Sequence, residues 1–170
     1  MLLEVFILLA VIFLLIMLSA VWPPDSPWAP WWRTNKNVAN ALCKLADISN
    51  KDTVYDLGCG DGEALIQSAK LGAKGVGIEI DPIRAWIARQ RISRNGLKEK
   101  VLIRRKNFFN ENLSEASIVI VYLVPATLDK LIPKFKKELK KGTKIVSFRY
   151  EMKLKLKDKD TDNKLFLYTI

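Results

Sequence analysis

The 170 residues include no histidine, which excludes His-based acid–base chemistry from any reaction the chain performs. Cysteine is scarce: Cys43 falls on a helical pattern and Cys59 inside a glycine-rich loop, so no disulfide framework is expected. Residues 1–22 hold one charged side chain, Glu4, and no Lys or Arg. The basic n-region of a signal peptide is therefore missing, and no Ala-x-Ala cleavage site stands around Ser19-Ala20. All 28 Lys and Arg lie downstream, and the chain carries a net charge of +10.

What fills residues 1–22 is Leu, Ile, Val, Phe and Met almost without interruption. A helix of about 20 residues spans roughly 30 Å of hydrocarbon, so an uncleaved transmembrane anchor is expected. Its lack of a polar face argues against a buried soluble helix. With every basic residue after the anchor, Arg33 and Lys36 nearest to it, the charge predicts a domain facing the cytoplasm. Residues 23–34 read as a Pro/Trp-rich linker, stiffened by Pro23, Pro24, Pro27 and Pro30. Trp22 and Trp28 suit the headgroup zone. Residues 35–170 then form one domain with an adequate core.

That domain is organised around Tyr55-Asp56-Leu57-Gly58-Cys59-Gly60-Asp61-Gly62. A β-branched run at residues 53–55 passes into a tight loop and then into the helical pattern from Glu63 onward. Glycines at alternate positions allow positive φ and a close approach of backbone to ligand. In a dinucleotide fingerprint the third glycine follows the second by three residues. Here Gly62 follows Gly60 by two, with an acid between, and no Gly-Lys-Ser/Thr follows, which removes the P-loop as well. Asp61 would repel a diphosphate but accept from an ammonium or hydroxyl. A second buried strand over residues 75–80 ends in Glu79, 21 residues after Gly58, where an acid would take both ribose hydroxyls. An adenosine with a cationic amino-acid tail satisfies both acids.

From Asp56 to Gly62, with Glu79, the chain resembles the class I, seven-strand S-adenosylmethionine-dependent methyltransferases. The resemblance implies a Rossmann-like α/β sheet with helices on both faces, S-adenosyl-L-methionine as cofactor and no metal. It also implies that Asp56 lies near the methionine amino group, that Gly58, Cys59, Gly60, Asp61 and Gly62 pass under the cofactor, and that Glu79, followed by Ile80, holds the ribose. Residues 29–46 are similar to the small membrane-anchored protein-lysine methyltransferases, whose mitochondrial members modify the ATP synthase c subunit and the adenine nucleotide carrier. There the segment before the first strand helps close the site, which brings in Pro30 and Thr34. Trp31 and Trp32 join the substrate-pocket candidates. An Asp that usually bonds the adenine amino group is replaced here by Asn107, whose amide oxygen can still accept.

The remaining elements follow in order. Residues 35–46 carry apolar positions at helical spacing. Asp81-Pro82 opens a helix with Ile83, Trp86, Ile87 and Gln90 on one side and an exposed basic face elsewhere. Residues 101–105 form a third strand, after which Phe108 or Phe109 either stacks on adenine or packs in the core. Residues 117–123 are the most strand-like run and are expected at the centre of the sheet. The end of that strand places Tyr122 and Pro125 beside the reacting methyl, where Tyr122 either lines an acceptor channel or packs on the next helix. The Asn/Asp-Pro-Pro-Tyr of enzymes acting on planar amide or adenine nitrogens is absent, as is the Pro-Cys nucleophile of cytosine C5 enzymes.

Residues 127–141 are amphipathic, with a kink or division expected at Pro133. The six lysines on the outer side are a solvated face, a surface for anionic lipid headgroups at about 1 kcal/mol per Lys, or a nucleic-acid surface. The last option lacks any accompanying RNA or DNA module. Residues 142–150 give a fifth strand whose Ser-x-Arg ending resembles that of the lysine methyltransferases, making Phe148 and Tyr150 candidates for a wall around a lysine side chain. A Lys/Leu alternation, a polar turn and a strand over 165–169 complete the chain, and a trimmed sheet edge is expected. A tether favours acceptors confined to the same membrane, so the expected activity is methylation of lysine on a membrane protein. A small-molecule or lipid-headgroup methyltransferase and a non-catalytic cofactor-binding adaptor are the alternatives.

Overall fold

The computed structural model describes residues 2–21 and 33–170, with side chains of the first helix described at residues 3–18. Residues 22–32, Pro30, Trp31 and Trp32 among them, lie outside the described residues. Helix α1 runs Leu2–Val21, and each of its described side chains is exposed. Among the described residues, which in α1 include side chains at 3–18 alone, no helix is long and apolar enough to cross a membrane.

Helix α2 (Lys36–Leu45) starts where the Asn35 side chain accepts from the Val38 N–H at 2.9 Å, which satisfies one of the donors a helix start leaves orphaned. There follow β1 (Thr53–Leu57), α3 (Glu63–Lys70), β2 (Lys74–Glu79), α4 (Pro82–Arg94) and β3 (Val101–Arg105). Then come β4 (Ile118–Val121), α5 (Pro125–Glu138), β5 (Lys144–Phe148), β6 (Leu156–Asp160) and β7 (Leu165–Thr169). All seven strands join one sheet in the order β3-β2-β1-β4-β5-β7-β6. Strands β1 to β5 are parallel, whereas β7 runs antiparallel between β5 and β6.

Side chains alternate between two buried clusters, as a sheet covered on both faces requires. Val54, Ile118, Ile120 and Val146 face the cluster that includes Leu42, Leu65, Ala88 and Ile92 of α2 to α4. Tyr55, Leu57, Val119, Val121 and Ile145 face the one built on Leu128, Leu131 and Phe135 of α5. The order of strands reverses between β1 and β4, so a crevice opens at their carboxyl ends.

Three expectations are corrected. The sheet edge is not trimmed, because the end of the Lys/Leu alternation and the start of the expected polar turn form β6 and pair with β7. Its residues are largely exposed and charged, a composition that hides a strand from hydrophobic pattern and also protects an open edge. Pro133 does not divide α5, which runs unbroken through it. The ring sits on the exposed face, where the carbonyl it leaves unbonded meets water. In α4 the inward residues are Arg84, Ala85, Ala88 and Ile92, while Trp86 (59% exposed) and Ile87 point out. The helix lies so close to the glycine loop that a Cβ on Gly62 would stand 3.5 Å from Ala88 Cβ. Only small side chains fit that seam.

Candidate active site

The parallel register sets the site. Leu57 pairs with Ile78 on one side and Val121 on the other, and Val121 pairs with Ser147. Gly58, Glu79, Tyr122 and Phe148 are therefore brought to one end of the sheet by four different strands.

The loop after β1 turns sharply. Gly58 and Cys59 both donate to the Ile78 carbonyl, at 2.8 and 3.1 Å. Gly58, at φ 82°, and Gly62, at φ 79° as the N-cap of α3, hold the left-handed backbone that side chains resist. Glu79 braces the loop from β2: its Oε2 accepts from the Gly60 N–H at 2.9 Å and its Oε1 from the Asp81 N–H at 3.0 Å. Burial raises the Glu79 carboxyl above the ordinary range, opposed by those two backbone bonds. Each oxygen keeps a second lone pair for a hydroxyl donor.

Asp56, one residue before the end of β1, is a buried carboxyl pushed up to about 7, first by burial and then by the charges of Glu79 and Asp61. Such a group sheds its proton readily when a cation arrives. Burial, with Asp56 next, also pushes the Cys59 thiol well up, so Cys59 stays protonated at neutral pH. Asp61 is engaged differently from the expectation of a free acceptor. Its Oδ2 pairs with Arg33 Nε at 2.7 Å and with Arg91 Nη1 at 2.6 Å. A buried acid, glycine backbone open to close approach and a second acid with spare lone pairs together fit an adenosine that carries an ammonium-bearing tail.

At the β3 end, Asn107 caps a short 3-10 turn over Phe108–Asn110, its Oδ1 accepting from the Phe109 N–H at 3.0 Å. Phe108 is half-buried against the α5-side core and tilts on Phe109 with centroids 4.9 Å apart. Ile80 is half-buried after Glu79, and Thr34 is half-buried beside Arg33. Across the switch point, Tyr122 and Phe148 meet with centroids 4.3 Å apart. Tyr122 thus packs on the end of β5. Arg149, at φ 74°, donates from Nη1 to Tyr122 Oη at 3.2 Å. Ser147 Oγ donates to the Tyr150 carbonyl at 2.6 Å, closing the turn. Tyr150 is half-buried and Pro125 exposed at the start of α5.

Arg91 and Arg149 are the site residues that sequence reasoning misses. Arg91 reads as part of an exposed basic face; the signal for its true place lies in Asp61 and Glu63, two acids in a segment too apolar to leave them unpaired. Nothing in the pattern marks Arg149 as left-handed.

A family model described as the ANTKMT methyltransferase domain matches residues 56–158. A protein-lysine N-methyltransferase of Saccharolobus islandicus (strain REY15A) is 36% identical over 153 residues, 85% of this chain and 95% of that protein. A lysine N-methyltransferase of the ATP synthase c subunit, from Caenorhabditis elegans, is 31% identical over 119 residues, 68% of this chain. The match spans 62% of that relative's length. Among solved structures, an RNA methyltransferase from Salinibacter ruber in complex with S-adenosyl-L-homocysteine superimposes with a TM-score of 0.78 at 36% identity. That alignment covers 82% of this chain and 94% of the other.

Proposed function

We propose that this chain, which belongs to the ANTKMT methyltransferase domain family, transfers a methyl group from S-adenosylmethionine to lysine side chains of a membrane-held protein. One observation carries the reading. The glycine loop with its buried acids Asp56 and Glu79 lies directly across the switch point from the Tyr122–Phe148 aromatic pair. Cofactor and acceptor positions therefore share one crevice.

When bound, S-adenosylmethionine supplies a methyl group already activated on a sulfonium. Asp56 would accept from its ammonium and Glu79 from the ribose hydroxyls, and the backbone of Gly58 to Gly62 would border it. Asn107 and Phe108 stand at the adenine end, with Ile80 after Glu79 and Thr34 on the segment before α2. Tyr122, Phe148 and Tyr150 wall the acceptor, with Pro125 at the start of α5. Aromatic surroundings favour the uncharged amine, so the acceptor needs alignment more than a fixed base. A chain without histidine can do that.

The membrane part of the proposal is supported by α1, a helix of 20 residues whose described side chains are apolar and exposed apart from Glu4. With Leu2–Val21 as an anchor, the 28 Lys and Arg on its C-terminal side favour a domain on the cytoplasmic face. The α5 lysines, Lys130, Lys136 and Lys137 among them, then meet anionic headgroups. A tether concentrates acceptors in the same bilayer.

The test is calorimetric binding of S-adenosylhomocysteine to the full chain in detergent, followed by transfer of tritiated methyl groups into membranes and hydrolysis to amino acids. Label recovered as methyl-lysine in a membrane-protein band is expected. Label in lipid, in small solutes or in RNA would replace the acceptor, and absent binding would remove the cofactor.

A further inference from the structure

Five buried acids gather at the cofactor end of the sheet: Asp56, Asp61, Glu63, Glu79 and Asp81. The cations facing them are Arg33 from the segment before α2 and Arg84 and Arg91 from α4. Two of these have other duties or weak standing. Arg84 lies against Glu79, and Arg33, with a side chain 60% exposed, makes an ion pair that water screens.

Arg91 differs. Its side chain is 24% exposed and one guanidinium makes three contacts. Nη1 donates to the Asp61 carbonyl at 2.9 Å and pairs with Asp61 Oδ2 at 2.6 Å, while Nη2 pairs with Glu63 Oε2. Gln67 Nε2 donates to the other Glu63 oxygen at 2.7 Å, holding that carboxylate in place. Only a planar fork spans a backbone carbonyl and two carboxylates in this way. Its anchor, α4, is packed on the loop through the Ala88–Gly62 seam.

We propose that Arg91 is a positioning residue for cofactor binding: it ties Asp61 and Glu63 to α4, fixes the loop on which the cofactor lies, and offsets the negative charge beside Asp56. The proposal rests on the reading of the glycine loop as the cofactor site. The charge argument follows from the neighbours of Asp56. Burial first, then Glu79 and Asp61, hold its proton on, and an Asp61 stripped of Arg91 would add to that hold. Cofactor binding, which needs the Asp56 carboxylate, would then begin at higher pH.

The test is calorimetry of S-adenosylhomocysteine on the full chain in nonionic detergent between pH 6 and 9, for wild type, Arg91→Gln and Arg91→Lys. Arg91→Gln is expected to raise Kd about 10- to 100-fold near neutral pH and to move the pH midpoint of binding upward. Arg91→Lys keeps the charge and loses the fork, so its midpoint stays with wild type while part of the affinity is lost. Unchanged binding in both variants, or an equal loss at every pH in both, would make Arg91 a packing residue and overturn the proposal. Should Arg91→Gln fail to fold by circular dichroism, Asp61→Asn replaces it. Removing the charge that Arg91 offsets is expected to lower the midpoint, and an unmoved midpoint overturns the idea. Wild type that binds nothing refutes the cofactor site itself and the proposal with it.

Discussion

Arg149 Nη1 lies 3.2 Å from Tyr122 Oη, and the residue that makes this bond sits at φ 74°. A side chain in the left-handed region costs about 1–2 kcal/mol, yet the position is not glycine. Its backbone is pinned: the Arg149 N–H donates to the Lys164 carbonyl at 2.7 Å. Strain of this kind at the mouth of a site signals that a side chain is needed there. Arg149→Gly is expected to leave the melting temperature unchanged or higher and to lower methyl transfer by about tenfold or more through loss of the Tyr122 orientation. A thermal melt beside a tritium-transfer assay measures both. Full transfer by a stable Gly variant would remove Arg149 from the acceptor wall.

The Asp56 carboxyl stands near 7 in the folded state against an ordinary 3.8. The folded protein therefore holds a proton that the unfolded chain releases, and each unit is about 1.4 kcal/mol. The contribution of Asp56 to stability is present below about 4 and is lost as pH rises toward 7. Asp52, Glu63, Glu138 and Asp160 are lowered, so their contributions run the other way and are lost as pH falls below the ordinary carboxylate range. Denaturant melts of wild type and Asp56→Asn, subtracted pH by pH, should isolate a loss of a few kcal/mol between pH 4 and 7. A flat difference would mean that Asp56 is ionised throughout.

Gly77 is packed from both sides. A Cβ there would stand 2.5 Å from Ile103 Cδ1, 2.7 Å from Cys59 Sγ and 2.7 Å from Leu65 Cδ1. Gly77→Ala is expected to cost about 1–3 kcal/mol of stability and to weaken S-adenosylhomocysteine binding by pushing Cys59 and the loop. Chemical denaturation and calorimetry on the same sample test this. An unaltered midpoint would show that the ends of the Ile103 and Leu65 side chains turn aside freely.

Deleting residues 1–22 is expected to release the protein from membranes while leaving its affinity for S-adenosylhomocysteine within about twofold, since the proposed cofactor site is built from the loop after β1 and from Glu79. Flotation on lipid vesicles and calorimetry of the truncated chain check the two halves separately. Lost affinity in a folded truncation would join the helix to the site.

The chain order of elements was legible because buried parallel strands announce themselves. Residues 101–105 and 165–169 stand in the structure as the pattern drew them, and β1, β2, β4 and β5 differ only at their ends. The loop from Asp56 to Gly62 and the acid at Glu79 were likewise readable, because positive φ and a buried carboxylate leave few residue choices. Polar pairing was not. Asp61 was readable as an acid but not as the partner of Arg33 and Arg91, 28 and 30 residues away, since charge has no periodicity that names its mate. The same holds for Arg149 and Tyr122, and for β6, whose exposed charged strand exists only because β7 offers it an edge. The sequence by itself determined which residue types stand at the strand ends, through burial and backbone freedom. The tertiary structure alone decided which arginine answers which acid, because that depends on where α4 lands against the loop, and Ala88 against Gly62 settles it.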